Sequence, residues 1–201
     1  MPDWDAAYRG AREPLFGDAP TEFVRQVVER VDFQARSALC LADGDGRNGR
    51  WLAKQGVDVT AIDLSSVATE QALAKDEAAG VRVRRLVGDL ASWQFASEDH
   101  WDAVFLIFLQ CESQVRNAIA ADACRHLNPG GWFVAEGFSV CREETDLLGP
   151  KDPDLLYDTA ELKVACGELQ IIECRSVLTD LKEGVRHQGK AAVVRFLARR
   201  N

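Results

Sequence analysis

The feature that most constrains this chain is residues 38–53, an apolar run that stops at Asp43-Gly44-Asp45-Gly46 and resumes with helical spacing. That pattern is the strand–loop–helix unit of a nucleotide-binding α/β domain, in which a ligand lies over the helix N-terminus. Gly44 and Gly46 allow the backbone to approach a ligand with no Cβ in the way.

Residues 44–49 are formally G-x-G-x-x-G, a dinucleotide-binding spacing. A pyrophosphate on this loop would face Asp43 and Asp45, and like charges at contact distance repel. S-adenosylmethionine (SAM) carries a sulfonium and an ammonium and no phosphate, so an acidic loop suits it. Arg47 offsets only part of that acidity. The loop therefore favours SAM over NAD. The rivals are an NAD-dependent oxidoreductase, which would bind NADH and ignore SAM, and a non-catalytic SAM-binding module.

The rest of the chain supplies what such a loop needs. Residues 1–20, with Trp4, Tyr8 and Phe16, read as an irregular or short helical arm that plugs the core edge or forms a lid. Residues 21–31 space Phe23, Val24, Val27, Val28 and Val31 on one helical face, with Asp18 as N-cap before Pro20. Strands are expected at 37–42, 57–62, 81–87, 101–108 and 132–138. Helices lie between them, one capped by Ser65 or Ser66 and one over 112–127. Asn128-Pro129-Gly130-Gly131 reads as a turn. Residues 139–158 form a long polar loop, and Asp158-Thr159-Ala160-Glu161 opens a short helix. Two last strands, 169–181 and 190–198, form an antiparallel hairpin. No linker or repeat interrupts the series.

The expected fold is α/β: one doubly wound, Rossmann-like domain over residues 1–201, with a mostly parallel seven-stranded sheet and a C-terminal hairpin. Within it, 1–20 is the arm, 21–138 the SAM-binding core, and 139–201 the substrate-side loop and hairpin.

Composition narrows the partners. A formal net charge of −8 argues against nucleic acid as a main partner. No apolar run approaches a membrane span of ~20 residues, and the acidic N-terminus is unlike a signal peptide. The six cysteines (40, 111, 124, 141, 166 and 174) contain no C-x-x-C pair and read as small apolar residues of a cytoplasmic protein. His100, His126 and His187 lack ligand spacing, so no metal is expected.

Ligands of such sheets bind beyond the carboxyl ends of the strands. Those ends carry Asp43, Gly44 and Gly46 after the first strand, and Asp63 after the second, placed to hold ribose hydroxyls. Asp89 and Leu90 follow the third strand, placed for an adenine edge, and Leu106, Ile107 and Phe108 close the fourth.

Several segments together resemble the successive motifs of class I SAM-dependent methyltransferases. These are residues 39–52, Ala61-Ile62-Asp63-Leu64-Ser65, Val87-Gly88-Asp89-Leu90, Trp101-Asp102-Ala103-Val104 and Leu127-Asn128-Pro129-Gly130-Gly131. Gly46-Arg47-Asn48, Trp4-Asp5-x-x-Tyr8 and residues 184–190 are similar to the branch holding the TehB-like (tellurite resistance) and thiopurine-type enzymes. The chain departs from the pattern at Cys40, where the family is usually acidic, and at Ala42, where a third glycine is usual. Asp43 or Asp45 would take the acidic role near the methionine end.

The resemblance implies SAM contacts at Asp43, Gly44, Asp45, Gly46, Asn48, Asp63, Leu64, Ser65, Asp89, Leu90 and Phe108. It implies methyl transfer to a small-molecule nucleophile, soft S, Se or Te acceptors among them, by a monomer or homodimer. His187, read as lying in a polar turn near the sheet end, is the candidate base. Arg142, just past the fifth strand, is the candidate for holding an anionic substrate.

Overall fold

Alternation of apolar strands with amphipathic helices yields one sheet in the computed structural model, which describes residues 2–142 and 148–201. The strands are β1 (Ser37–Leu41), β2 (Asp58–Asp63), β3 (Val83–Val87), β4 (Trp101–Ile107), β5 (Leu127–Phe138), β6 (Gln170–Glu183) and β7 (His187–Arg199). Their order is β3-β2-β1-β4-β5-β7-β6. The first five pair in parallel, while β7 runs antiparallel to both β5 and β6. The helices are α1 (Trp4–Gly10), α2 (Glu22–Val28), α3 (Arg47–Lys54), α4 (Ser66–Ala78), α5 (Ser113–Arg125) and α6 (Thr159–Ala165). No helix among the described residues is long and apolar enough to cross a membrane.

The central strands of the sheet are buried on both faces, as parallel strands require, while the edge strand β6 is largely exposed. Alternate residues of β1 show this. Ala38 and Cys40 pack with Phe23, Val24 and Val27 of α2 and Leu52 of α3. Leu39 and Leu41 pack with Ile119, Ala120 and Ala123 of α5 and Leu162 of α6.

Several local expectations are corrected. Helix α2 ends at Val28, and Val31 is fully exposed. Its N-cap is Thr21, whose Oγ1 accepts from the Val24 amide at 3.3 Å. Asp18 is drawn instead to Lys75, at 2.8 Å. The segment Asn128–Gly131 is no free turn. It lies inside β5, where a register shift between Trp101 and Ala103 of β4 absorbs it. The terminal hairpin is tighter than expected: β6 runs to Glu183 and β7 begins at His187, so these two residues are cross-strand partners. In the long loop after β5, residues 143–147 lie outside the described residues, and Pro153–Leu155 form a 3-10 turn.

Candidate active site

The carboxyl ends of β1–β4 open into one cavity, roofed by the N-terminal arm. Asp43, Gly44, Asp45, Asn48, Asp63, Leu64, Asp89, Leu90 and Phe108 line it, as does His187. Gly46 and Ser65 stand behind the wall, and Arg142 is not part of it.

The glycine loop is shaped by what crowds it. Gly44 has φ +57°, and a Cβ there would sit 2.3 Å from the Tyr8 hydroxyl. Gly46, the N-cap residue of α3, has φ +87°, and its Cβ would sit 2.2 Å from the Arg85 guanidinium. Both positions need glycine twice over, for the backbone angle and for the space. Two non-glycine residues also adopt positive φ at strand ends, Ala42 (57°) and Phe108 (53°). Such strain, on the order of 1–3 kcal/mol each, tends to gather at functional sites. Here it turns the chain sharply where β1 and β4 meet the cavity.

The acidity of the loop is deployed differently from the simple charge argument. Asp43 is buried and bonded to the Arg85 guanidinium (3.0 Å) and the Gly49 amide (3.1 Å). Burial still holds its carboxyl above the ordinary value, against the pull of Arg85. Asp45 accepts from Lys75 Nζ at 2.6 Å. Asp63 accepts from the amides of Gly44 (2.7 Å) and Ser65 (2.8 Å), one on each oxygen. Each oxygen keeps a second lone pair for a hydroxyl. Asp89 spends one oxygen on the Ala91 amide, at 2.9 Å.

The arm is pinned across this loop. Asp5 accepts from the Ser65 hydroxyl (2.6 Å) and the Ser66 hydroxyl (3.1 Å). The Thr21 amide donates to Asn48 Oδ1 at 2.9 Å. Arg47 donates from one nitrogen to the Phe16 carbonyl (2.7 Å) and to Glu183 Oε2 (2.9 Å). Arm, glycine loop and terminal hairpin thus meet at Arg47.

His187 is buried, at 2% exposure, not in a polar turn. Its ring packs on Phe16, Phe108 and Phe138, with centroids 4.7, 4.6 and 5.3 Å away. Nδ1 lies 3.3 Å from Glu183 Oε2. Nε2 has no hydrogen-bond partner among the described residues. Burial lowers the imidazole's proton affinity, and Glu183 opposes that only in part. Glu183 itself is held below the ordinary carboxylate value by His187 and Arg47, against its own burial. The arrangement is a neutral imidazole, fixed at one nitrogen and open at the other. Arg142 is held elsewhere: its Nε donates to the Ser139 carbonyl at 3.1 Å, and burial depresses its proton affinity.

Sequence reading did not assign Arg47, Glu183, Arg85 or Lys75 to the site. The only signal for Glu183 and His187 was their spacing of four, which becomes a direct pairing once the hairpin turn is three residues long.

The residues present fit SAM. Asp63 offers two free lone pairs, and the glycine loop provides a cradle that a Cβ would fill. Leu64, Leu90, Ile107, Leu109, Val115 and Ile119 form an apolar wall beside Asp89, suited to a purine.

Residues 38–131 match a family described as a methyltransferase domain. No curated protein matches the sequence. Among solved structures, the fold is similar to a protein described by the conversion of a disulfide bond into a thioacetal group during echinomycin biosynthesis. That match has a TM-score of 0.77 and 20% identity, over 98% of this chain and 90% of that one. TehB from Haemophilus influenzae matches with a TM-score of 0.71 and 19% identity, over 89% of this chain and 61% of that one. A SAM-dependent methyltransferase from Methanosarcina mazei matches with a TM-score of 0.67 and 17% identity, over 90% of this chain and 98% of that one. At these identities the likeness is one of fold, and the domain match favours a methyltransferase over the NAD reading. Residues 38–131 thus carry a match to a methyltransferase domain, inside a fold shared with SAM-dependent methyltransferases of known structure.

Proposed function

We propose that the protein methylates a small molecule bearing a protonated soft nucleophile, a thiol, and that His187 takes the thiol proton. The observation that carries this reading is the setting of His187: buried in the cavity wall, anchored at Nδ1 by Glu183 and without a hydrogen-bond partner at Nε2 among the described residues. When bound, SAM supplies a methyl on a sulfonium, whose S–CH3 bond breaks as the acceptor's S–CH3 bond forms, leaving S-adenosylhomocysteine.

The chain's own contribution is positioning and proton removal. Asp63 and the glycine loop would hold the nucleoside, and the aromatic arm excludes water. A free thiol is only a few per cent thiolate at neutral pH, so a positioned base has work to do. The glutamate on Nδ1 selects the tautomer with Nε2 free to accept, and it steadies the imidazolium that forms. Sulfur chemistry is also named for one structural neighbour, the echinomycin protein, and TehB shares the fold.

The test is release of S-adenosylhomocysteine from SAM in the presence of simple thiols, in the wild type and in His187→Gln. Thiol-dependent release that collapses in the variant supports the reading. Release that is indifferent to His187 removes the base from it.

A further inference from the structure

We propose that Glu183 is a specificity determinant: by locking Arg47 it leaves the cavity without a free cation, so that the acceptor must be electrically neutral and anionic nucleophiles are rejected. This rests on the methyltransferase reading above and adds to it the charge of the acceptor and the residue that sets it.

Arg47 is the only cationic side chain lining the cavity among the described residues. It would be the natural partner for a carboxylate or oxyanion, but it is already engaged. One of its nitrogens donates at once to Glu183 Oε2 and to the Phe16 carbonyl, and its side chain is 6% exposed. Glu183 is itself 13% exposed, so the pair is screened little by solvent. The remaining charged groups of the wall are Asp43, Asp45, Asp63 and Asp89. Arg85, Lys75 and Arg50 sit behind Asp43 and Asp45, yet they also serve Asp76 and Asp18, so four carboxylates face three cations there.

The acceptor side is aromatic. Trp4, Tyr8 and Phe16 form a chain of ring contacts with centroids 6.2–6.5 Å apart, and Phe16 continues onto His187. An anion entering this end meets ring faces, which are electron-rich, and a net-negative wall. Among the cavity-lining side chains it finds no free cation to repay its lost hydration, and Arg186, the nearest cation at this end, lies outside the lining over the Trp4 ring at 5.7 Å. A neutral thiol suffers neither cost. The same Glu183 oxygen that cancels Arg47 also contacts His187, so one carboxylate both removes the anion site and orients the base for a nucleophile that arrives protonated.

The experiment compares a matched pair of alkyl thiols, benzyl mercaptan and 4-(mercaptomethyl)benzoate, with inorganic selenite and tellurite alongside, in the wild type, Glu183→Gln and Glu183→Asp. Two quantities are read. One is the ratio of kcat/KM for the neutral over the carboxylated thiol. The other is the ratio of Kd values for their methyl thioethers, measured by calorimetry on protein loaded with S-adenosylhomocysteine. Both are ratios within one variant, so a general loss of packing or of base strength cancels.

The proposal expects at least about a tenfold preference for the neutral member in the wild type. It expects that preference to shrink by about tenfold in Glu183→Gln, which releases Arg47, and to be retained in Glu183→Asp. Oxyanions are expected to give no product. Wild-type preference for the carboxylated member or for an oxyanion overturns the proposal, as does an unchanged ratio in Glu183→Gln. If no acceptor is methylated but the thioether ratios follow the expected order, the charge selection stands and the thiol-methylation reading falls.

Discussion

Asp43 and Arg85 form an ion pair behind the glycine loop, 3.0 Å apart, with both side chains 2% exposed. Arg85 also holds Asp76 at 2.6 Å, so one guanidinium neutralises two buried carboxylates from different elements. Arg85→Met should strand Asp43 and leave Asp76 only Arg50, 3.7 Å away, destabilising the fold by about 3–5 kcal/mol. Urea denaturation measures this, and a loss under about 1 kcal/mol would show that the pair contributes little beyond its own desolvation cost.

The base assignment predicts a split between binding and turnover. His187→Gln should leave affinity for S-adenosylhomocysteine within about threefold and lower thiol turnover by about 10²–10⁴-fold. The active form is the neutral imidazole, so the rate falls as pH drops through its protonation. Burial pushes that protonation below the ordinary 6.5, and wild-type kcat/KM should therefore stay level to pH values under 6.5. A loss of rate toward acid whose midpoint lies at or above 6.5 would contradict the buried histidine.

Gly44 and Tyr8 predict a rescue. Gly44→Ala places a methyl 2.3 Å from the Tyr8 hydroxyl, on a backbone with φ +57°. SAM affinity should fall at least about tenfold from the clash and the strain together. With Tyr8→Phe added, the nearest Tyr8 atom becomes the ring carbon at 3.3 Å, and part of the affinity should return. Calorimetry on the single and double variants decides it. Purely additive losses would mean that the arm does not rest on the loop.

Glu136, buried in β5 against Arg195 at 2.9 Å, predicts a pH effect on stability. Burial raises its carboxyl from 4.5 to about 7, against Arg195. The folded state thus binds the proton more tightly than the unfolded one. The associated stability is fully present below pH 4.5 and is lost as pH rises through about 7. Relative to Glu136→Gln, the wild type should lose about 2–3 kcal/mol between pH 4.5 and 8.5. Parallel stability curves for the two proteins would contradict this.

Much of this site was legible in the chain because strand ends are fixed by periodicity. Once residues 37–42, 57–62 and 101–108 read as strands, Asp43, Asp63 and Phe108 had to face one edge of the sheet. What was not legible depends on contacts across long separations. Arg85 sits in a short strand where an arginine reads as solvent-facing, and its partner Asp43 is 42 residues away. The same holds for Asp18, which has good capping chemistry but is claimed by Lys75 across 57 residues. His187 was placed in a polar turn because Glu183, Arg186 and Gln188 surround it in sequence. Strand alternation sends those neighbours outward or into the Arg47 pair while the ring goes in. Arg142, chosen for its position after β5, points to Ser139 because the chain turns there.

The central claim is that the cavity at the strand ends holds SAM through Asp63. Asp63 also supports the loop through Gly44 and Ser65, so the isosteric Asp63→Asn is the better probe than alanine. The most direct measurement is calorimetric titration of S-adenosylhomocysteine into the wild type and this variant, with NADH as control. The account predicts one-to-one binding to the wild type, affinity lower by about tenfold or more in Asp63→Asn, and no response to NADH. Equal affinity in a folded variant, or heat from NADH alone, would contradict it.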